Sequence, residues 1–227
     1  MAERIYALLI LIIVFAGGVG CMTQLNVNEL ALAHMEQKYG VPFEYVAPWG
    51  NNLSGTRSFI VSSETLPGQE ILVQIENYRQ QDMVILDNYL AVKFRDETVA
   101  FLQNIALSVF EEANVFYEVF MKGLSPDLTA DATLNDFLAD TRVPLVIMVE
   151  VNEYSFSSKD DAKKLAETIA ASEAHFLLTI VVVSSDVFGT HTRDTLGQQV
   201  IFENFVYCAS IRHRGDGIEI EWLSRKE

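Results

Sequence analysis

Apolar residues in this chain recur at two spacings, one typical of helices and the other typical of strands. The first helix is predicted to begin near Asn26, which forms a capping-box pattern with Glu29, and to end at Gly40. Three short runs with the composition of strands follow it, separated by turns rich in Pro and Gly. These runs are Pro42–Val46, Arg57–Ser62 and Glu70–Ile75.

The longest periodic segment predicts a helix from about Asn88 to Glu111, with Asp87 as its N-cap. The stretch Tyr89–Phe94 also alternates, so a short strand followed by a shorter helix is the alternative. The apolar stripe of the predicted helix consists of Leu90, Phe94, Phe101, Ile105 and Val109.

The second half of the chain repeats this alternation of helices and strands. Helices are predicted at Ala132–Asp140 and from Ser158 onward, where Asp161 completes a capping pattern. The last two predicted strands form a hairpin around Gly215-Asp216-Gly217. The predicted strands are Val115–Met121, Val143–Val151, His175–Val183, Val200–Ile211 and Ile218–Trp222.

The resulting order of elements, αβββ-αβ-αβ-αβββ, predicts an α+β fold with antiparallel sheets and helices packed on one face. An αβββ block stands at both ends of this order. The chain is therefore interpreted either as two related, cystatin-like modules, residues 21–123 and 124–227, or as one continuous domain over residues 21–227.

The N-terminal segment has the layout of a secretory signal. The apolar run Ile5–Phe15 is followed by the small residues Ala16–Gly20 and then by Cys21. Counted to Val19, the apolar run is about 15 residues long, shorter than the roughly 20 that span a bilayer. We therefore expect residues 1–20 to be a signal peptide that is not part of the fold.

At Cys21 the segment resembles the signal of bacterial lipoproteins, because the small residues Val19 and Gly20 precede a cysteine. The resemblance implies that Cys21 is lipidated and holds the protein at the extracytoplasmic side of the cell membrane. Gly18 stands where such signals have Leu, so an uncleaved single-pass anchor is the alternative. Both interpretations place the rest of the chain outside the cytoplasm.

The first third of the exported chain carries a second resemblance. A helix closed by Tyr39-Gly40 and followed by Phe43 in the next strand looks like uncharacterised membrane-anchored lipoproteins of Gram-positive bacteria. This resemblance implies a location. It includes no functional motif, so it implies no activity.

The composition excludes several classes of function. The chain has 16 Lys and Arg residues against 31 Asp and Glu residues, and its formal net charge of −15 argues against a nucleic-acid partner and against adhesion to anionic lipid. Half of the residues are hydrophobic, which is enough for a sizeable core. Two cysteines exclude a disulfide-rich scaffold and a Cys-based zinc site, and Cys208 is expected to be a buried, inert thiol.

Metal-binding spacings are absent from the sequence. The histidines form no H-x-x-x-H or H-E-x-x-H pair, and His34 and His175 are interpreted as structural. An acidic stretch lacks the Gly and the terminal Glu of a calcium loop, so we expect neither a metal nor a cofactor. The acidic residues of this stretch are Asp127, Asp131, Asp136 and Asp140.

The candidate for catalysis is His191. It lies in a loop, Ser184–Asp194, that brings Ser, Asp, His and Arg side chains together, and loops often carry functional sites. No nucleophile-elbow motif supports a triad, and the same residue types are typical of a solvated hairpin loop. No catalytic residue is therefore assigned, and hydrolysis through the His191 loop is the alternative to a binding function.

The most suggestive surface element is Trp49, in a loop rich in Pro, Gly and Asn. Together with Asn51, Asn52 and Arg57 it has the composition of a recognition surface. A tryptophan folded over the edge of the core is an equally good interpretation. We therefore expect a membrane-anchored, non-enzymatic module that binds a protein, a peptide or a cell-envelope component. A cell-envelope hydrolase and a cystatin-like inhibitory module are the alternatives.

Overall fold

The computed structural model describes residues 27–50, 55–78, 83–118, 128–140, 144–201, 205–213 and 217–223. Cys21 and the predicted signal segment lie outside these residues, as do Asn51 and Asn52. Within the described ranges the chain forms six α-helices and nine strands. None of these helices combines the length and the apolar character needed to cross a membrane.

Helices and strands are numbered separately in chain order. The helices are α1 (Val27–Tyr39), α2 (Tyr89–Lys93), α3 (Arg95–Leu107), α4 (Leu134–Leu138), α5 (Lys159–Ala170) and α6 (Arg193–Ile201). The strands are β1 (Glu44–Pro48), β2 (Arg57–Ser62), β3 (Ile71–Glu76), β4 (Val84–Asp87), β5 (Ala113–Glu118), β6 (Leu145–Asn152), β7 (Phe176–Val183), β8 (Tyr207–His213) and β9 (Ile218–Leu223).

The strands form two sheets. Strands β1 to β4 pair in sequence order as an antiparallel sheet. Strands β5 to β9 form the second sheet, in which β6 and β7 run parallel, with Leu145 opposite Phe176, and the other pairs are antiparallel. Helix α5 connects the parallel pair, because parallel neighbours need a crossover. The predicted α+β class is therefore confirmed, and the parallel pair makes the second sheet mixed.

Helices lie on both faces of the second sheet. Ile147 of β6 belongs to the same buried cluster as Leu102 of α3 and Leu165 of α5. The next side chain along β6, Met148, points to the opposite face and packs in a second cluster with Leu196 of α6. The predicted packing on one face holds for α3 and α5, whereas α6 covers the other face.

The largest cluster of buried apolar side chains draws on both sheets. Met35 of α1 and Phe59 of β2 belong to the same cluster as Ile147 of β6. The predicted division near residue 123 falls within residues 119–127, outside the described part of the chain. The two sheets differ in topology, because the second contains the parallel pair and has α6 between β7 and β8.

The long helix predicted over Asn88–Glu111 is broken in two. Helix α2 ends at Lys93 and α3 begins at Arg95, with Phe94 between them at φ −92° and ψ 7°. The ring of Phe94 is buried and lies 5.8 Å from the ring of Phe137 in α4, measured between centroids. The break therefore sits where a side chain is anchored in the core.

Strand β4 and helix α6 are absent from the sequence-based prediction. The alternative prediction of a strand over residues 89–94 is wrong, because helix α2 occupies this segment. The strand in this region is β4, which ends just before α2 and pairs with β3. The strand predicted to begin at Val200 begins instead at Tyr207, because α6 extends through this region. Helix α6 is capped by Thr192, whose hydroxyl accepts a hydrogen bond from the Thr195 N–H at 3.3 Å.

Candidate functional site

A cleft with a volume of about 270 Å³ opens between the two sheets. Trp49 after β1, Leu72 of β3 and Arg95 of α3 line one side, and Tyr117 of β5 and Arg193 of α6 line the other. We call it the inter-sheet cleft. It depends on both sheets, because residues more than a hundred positions apart meet in its wall.

Trp49 lies in the wall of this cleft. Its backbone N–H donates a hydrogen bond to the Ser58 carbonyl at 3.0 Å, so the pairing of β1 with β2 extends to it, and its side chain is 43% exposed. Of the other residues predicted to accompany it, Arg57 begins β2 and is not among the lining residues. Asn51 and Asn52 lie outside the described residues.

An ion pair in the cleft wall joins the start of α6 to the end of β5. Nη2 of Arg193 donates to Oε2 of Glu118, and Nη1 of the same guanidinium lies 3.4 Å from Oδ1 of Asp194. The side chains of Arg193 and Glu118 are 42% and 33% exposed, so solvent screens the pair. The pair orients the Arg193 guanidinium in the cleft wall.

Two further charges line the cleft, and neither has an ion-pair partner in the part of the chain that the structure describes. Arg95 is the first residue of α3, and Glu70 immediately precedes β3. Both residues are exposed. Among its described lining residues, the cleft therefore offers a ligand a cation and an anion that form no ion pair.

Tyr117 is a buried polar residue in the wall of the cleft. It is 7% exposed, and no described residue forms a hydrogen bond with its hydroxyl. Burial raises the pKa of Tyr117 well above its usual range because it desolvates the phenolate, and the nearby charge of Arg95 offsets only part of this effect. The hydroxyl therefore stays protonated and can donate a hydrogen bond.

Sequence reasoning identified Trp49 and missed Arg95, Tyr117 and Arg193. These three residues belong to three separate elements and show no local motif. One signal was present, because an arginine in the first turn of a helix opposes the helix dipole. That signal could not be used for either arginine, because the prediction placed Arg95 inside the helix Asn88–Glu111 and did not include α6.

A second polar site lies on β6, around the buried carboxylate of Glu150. Nδ1 of His191 lies 2.6 Å from Oε1 of Glu150, and the two side chains are 6% and 0% exposed. The Gly189 N–H donates to both carboxylate oxygens, at 3.3 and 3.2 Å, and Nδ2 of Asn114 donates to Oε2 at 2.8 Å. Gly189 adopts φ +76°, a conformation that favours glycine. The carboxylate thus ties the His191 loop to the sheet and fixes the imidazole orientation.

A catalytic triad is not assembled around His191 among the described residues. The Ser184 hydroxyl donates to Asp186 at 2.5 Å, and the Ser185 hydroxyl donates to Oδ1 of Asn152 at 3.0 Å. Neither serine hydroxyl contacts His191. The described part of the chain therefore provides an oriented imidazole with no serine hydroxyl bonded to it.

The remaining candidates have structural contacts. Nδ1 of His213 bonds the Ala174 carbonyl at 2.8 Å, and its ring lies 5.5 Å from that of His175. Thr133 is the N-cap of α4, and Asp136 completes a capping box with it, so part of the acidic stretch serves the helix start. No group of three or more His, Cys, Asp or Glu side chains that could hold a metal occurs within the described ranges.

Comparisons with known proteins give one structural similarity. No family model matches the sequence, and no curated protein matches it. A crystal structure of a DUF5037 family protein from Ruminococcus gnavus ATCC 29149 is similar to this chain, with a TM-score of 0.42 and 12% identity. The similarity covers 83% of this chain and 92% of that one.

Proposed function

We propose that this chain is a membrane-anchored, extracytoplasmic binding protein that holds a peptide segment of a partner in the inter-sheet cleft. The observation that carries the proposal is the composition of the cleft wall, which gathers Trp49, Tyr117 and two arginines. Trp, Tyr and Arg are the residues enriched among those that dominate the energy of protein interfaces.

The dimensions of the cleft support a peptide rather than a large cofactor. Sites for drug-sized molecules measure roughly 300 to 1,000 Å³, and this cleft of about 270 Å³ lies just below that range. It accommodates a few side chains of a longer chain. A segment with charges of both signs would also meet Arg95 and Glu70, which are free of ion pairs in the described part of the protein.

The membrane location rests on the sequence of the N-terminal segment. Lipidation of Cys21, or an uncleaved anchor over the same segment, would hold the protein at the membrane. An anchor is needed because an acidic protein is not attracted electrostatically to an anionic membrane surface. Membrane fractionation of the full chain and of Cys21→Ser tests this part. Release of the variant supports lipidation, and unchanged fractionation supports the uncleaved anchor.

The binding function is tested with a displayed peptide library selected on the detergent-solubilised full chain. Trp49→Ala should weaken binding of the selected peptides by about tenfold or more, because it removes a large aromatic contact from the wall of the site. Tyr154→Ala is the matched control, since Tyr154 is an aromatic residue that is 84% exposed and lies outside the cleft lining. Equal weakening by both variants, or no enriched peptide, would contradict the proposal.

A second candidate function is hydrolysis at the cell envelope through His191. The hydrogen bond between His191 and the buried carboxylate of Glu150 supports it, because such a contact orients the imidazole of a general base. A panel of p-nitrophenyl esters and labelled peptides tests it. Turnover that is lost in His191→Gln and retained in Trp49→Ala would support catalysis, and turnover that survives His191→Gln would rule it out.

A further inference from the structure

Tyr117 presents to the inter-sheet cleft a hydroxyl that bonds to none of the described residues. Its side chain is more than nine-tenths buried, yet no described residue accepts from or donates to the hydroxyl. The hydroxyl oxygen itself is accessible from the cleft, so water can hydrogen-bond with it there. A ligand group that accepts its hydrogen bond can take the place of that water.

Arg95 brings a positive charge to the same place. Its charge acts on the Tyr117 hydroxyl, and it forms no ion pair with the described residues. Its position in the first turn of α3 opposes the helix dipole, and Asp96 and Glu97 in the same turn provide the favourable charges. The helix therefore does not require this cation.

The other guanidinium in the cleft is already engaged. Arg193 pairs with Glu118, the neighbour of Tyr117 in β5. Among the described lining residues, Arg95 thus remains as a cation without an ion pair, and Tyr117 offers an O–H donor to a ligand. Both are hydrogen-bond donors, so the ligand group facing them is an acceptor that carries negative charge.

We propose that the cleft recognises a carboxylate of its peptide ligand, with Arg95 and Tyr117 donating hydrogen bonds to the carboxylate oxygens and Trp49 contacting the adjoining apolar part. This inference rests on the proposed binding function. A singly charged carboxylate matches the charge of Arg95, the cation without an ion pair among the described residues that line the cleft. A phosphate dianion would meet Glu70 and Glu118 in the same cleft wall, within a chain of net charge −15.

The direct test uses benzoate and benzamide as probes, which share an aromatic ring and differ in the carboxylate. Nuclear magnetic resonance of the full chain follows the Nε–H signal of Arg95 at probe concentrations of tens of millimolar. We expect saturable binding of benzoate, weaker binding of benzamide by about tenfold or more, and no saturable binding of inorganic phosphate. Absence of saturable benzoate binding, or equal binding of the two probes, would overturn the inference.

Three variants assign the effect to the proposed residues. Arg95→Met should weaken the binding of benzoate by about tenfold, and Tyr117→Phe should weaken it by several-fold. Each variant removes one hydrogen-bond donor to a charged acceptor. Arg57→Met is the matched control, since Arg57 is an arginine outside the cleft lining. A loss of benzoate affinity in Arg57→Met equal to the loss in Arg95→Met would contradict the assignment.

The selected peptides separate this inference from the proposed function. Peptides that depend on Trp49 but bind Arg95→Met and Tyr117→Phe with unchanged affinity would overturn carboxylate recognition and leave peptide binding intact. Peptides that bind Trp49→Ala unchanged would overturn the cleft as the binding site. Amidation of the peptide C-terminus distinguishes the two carboxylate sources, because it abolishes binding through a terminal carboxylate and spares an Asp or Glu side chain.

Discussion

Nδ1 of His191 lies 2.6 Å from Oε1 of Glu150, and neither side chain is more than 6% exposed. This contact holds the imidazole in one orientation. The Glu150 side chain also accepts hydrogen bonds from Nδ2 of Asn114 and from the Gly189 N–H. This site connects β6 with the loop that leads into α6 and so to Arg193 of the inter-sheet cleft.

Glu150→Gln is expected to lower the free energy of unfolding by about 1–3 kcal/mol, because its amide NH₂ would face groups that are themselves donors. Urea denaturation followed by circular dichroism measures the change. Glu221→Gln is the control, since Glu221 is exposed on β9. Equal stability of the wild type and Glu150→Gln would show that the carboxylate is not required by its neighbours.

The buried pair of Lys38 and Asp87 predicts an asymmetric result. Their side chains are 6% and 0% exposed with 3.0 Å between Nζ and Oδ2, and Asp87 also accepts from the Tyr39 hydroxyl at 2.7 Å and the Tyr89 N–H at 3.0 Å. Asp87→Ala should destabilise the protein by about 3–5 kcal/mol, because it leaves Lys38 buried without a counter-charge. Lys38→Met should cost less, because Asp87 keeps two hydrogen bonds.

Thermal and urea unfolding of both variants and of the double variant measure this asymmetry. The double variant should be more stable than the sum of the two single losses implies, because the residues interact directly. A larger decrease in the free energy of unfolding in Lys38→Met than in Asp87→Ala would contradict the account.

Cys208 is expected to be unreactive in the folded protein. The structure confirms that it is buried, and burial raises the pKa of its thiol to about 11 because the thiolate is desolvated. Thiolate is the reactive form, so iodoacetamide at about pH 8 should label Cys208 in Cys21→Ser only after denaturation. Labelling is quantified by mass spectrometry. Equal rates in native and denatured protein would show that the thiol is accessible.

Tyr117→Phe separates a functional hydroxyl from a structural one. Because the hydroxyl has no partner among the described residues, its removal should change the free energy of unfolding by no more than about 0.5 kcal/mol, or should raise it. Denaturant titration of the full chain measures this. Tyr39→Phe is the contrasting control and should be destabilising, since it removes the hydrogen bond to buried Asp87. A large decrease in the free energy of unfolding in Tyr117→Phe would indicate a structural role for the hydroxyl.

The sequence predicted correctly the helices whose ends are marked by capping residues or by a terminal glycine. Helix α1 is followed by Gly40 at φ +68°, as the sequence indicated, and α5 begins at the predicted capping box of Ser158 and Asp161. Helix α6 was missed because its cap, Thr192, lacks an acidic partner three residues later and its apolar positions are few. The boundaries were therefore clearest where the signal was local.

The site was predictable only in part for a related reason. Trp49 was identified from its surroundings in the chain, whereas Arg95, Tyr117 and Arg193 come together only when the two sheets pack. The parallel pairing of β6 with β7, which no local pattern encodes, contributes to the sheet that carries Tyr117. Contacts between distant elements are set by tertiary packing, so the sequence identified one member of the site and not its partners.

The most direct test of the central claim is chemical-shift mapping of a selected peptide titrated into the isotope-labelled full chain. The account predicts saturable changes concentrated at Trp49, Arg95, Tyr117 and Arg193. Changes concentrated instead around His191 and Glu150, with the residues of the inter-sheet cleft unaffected, would contradict it.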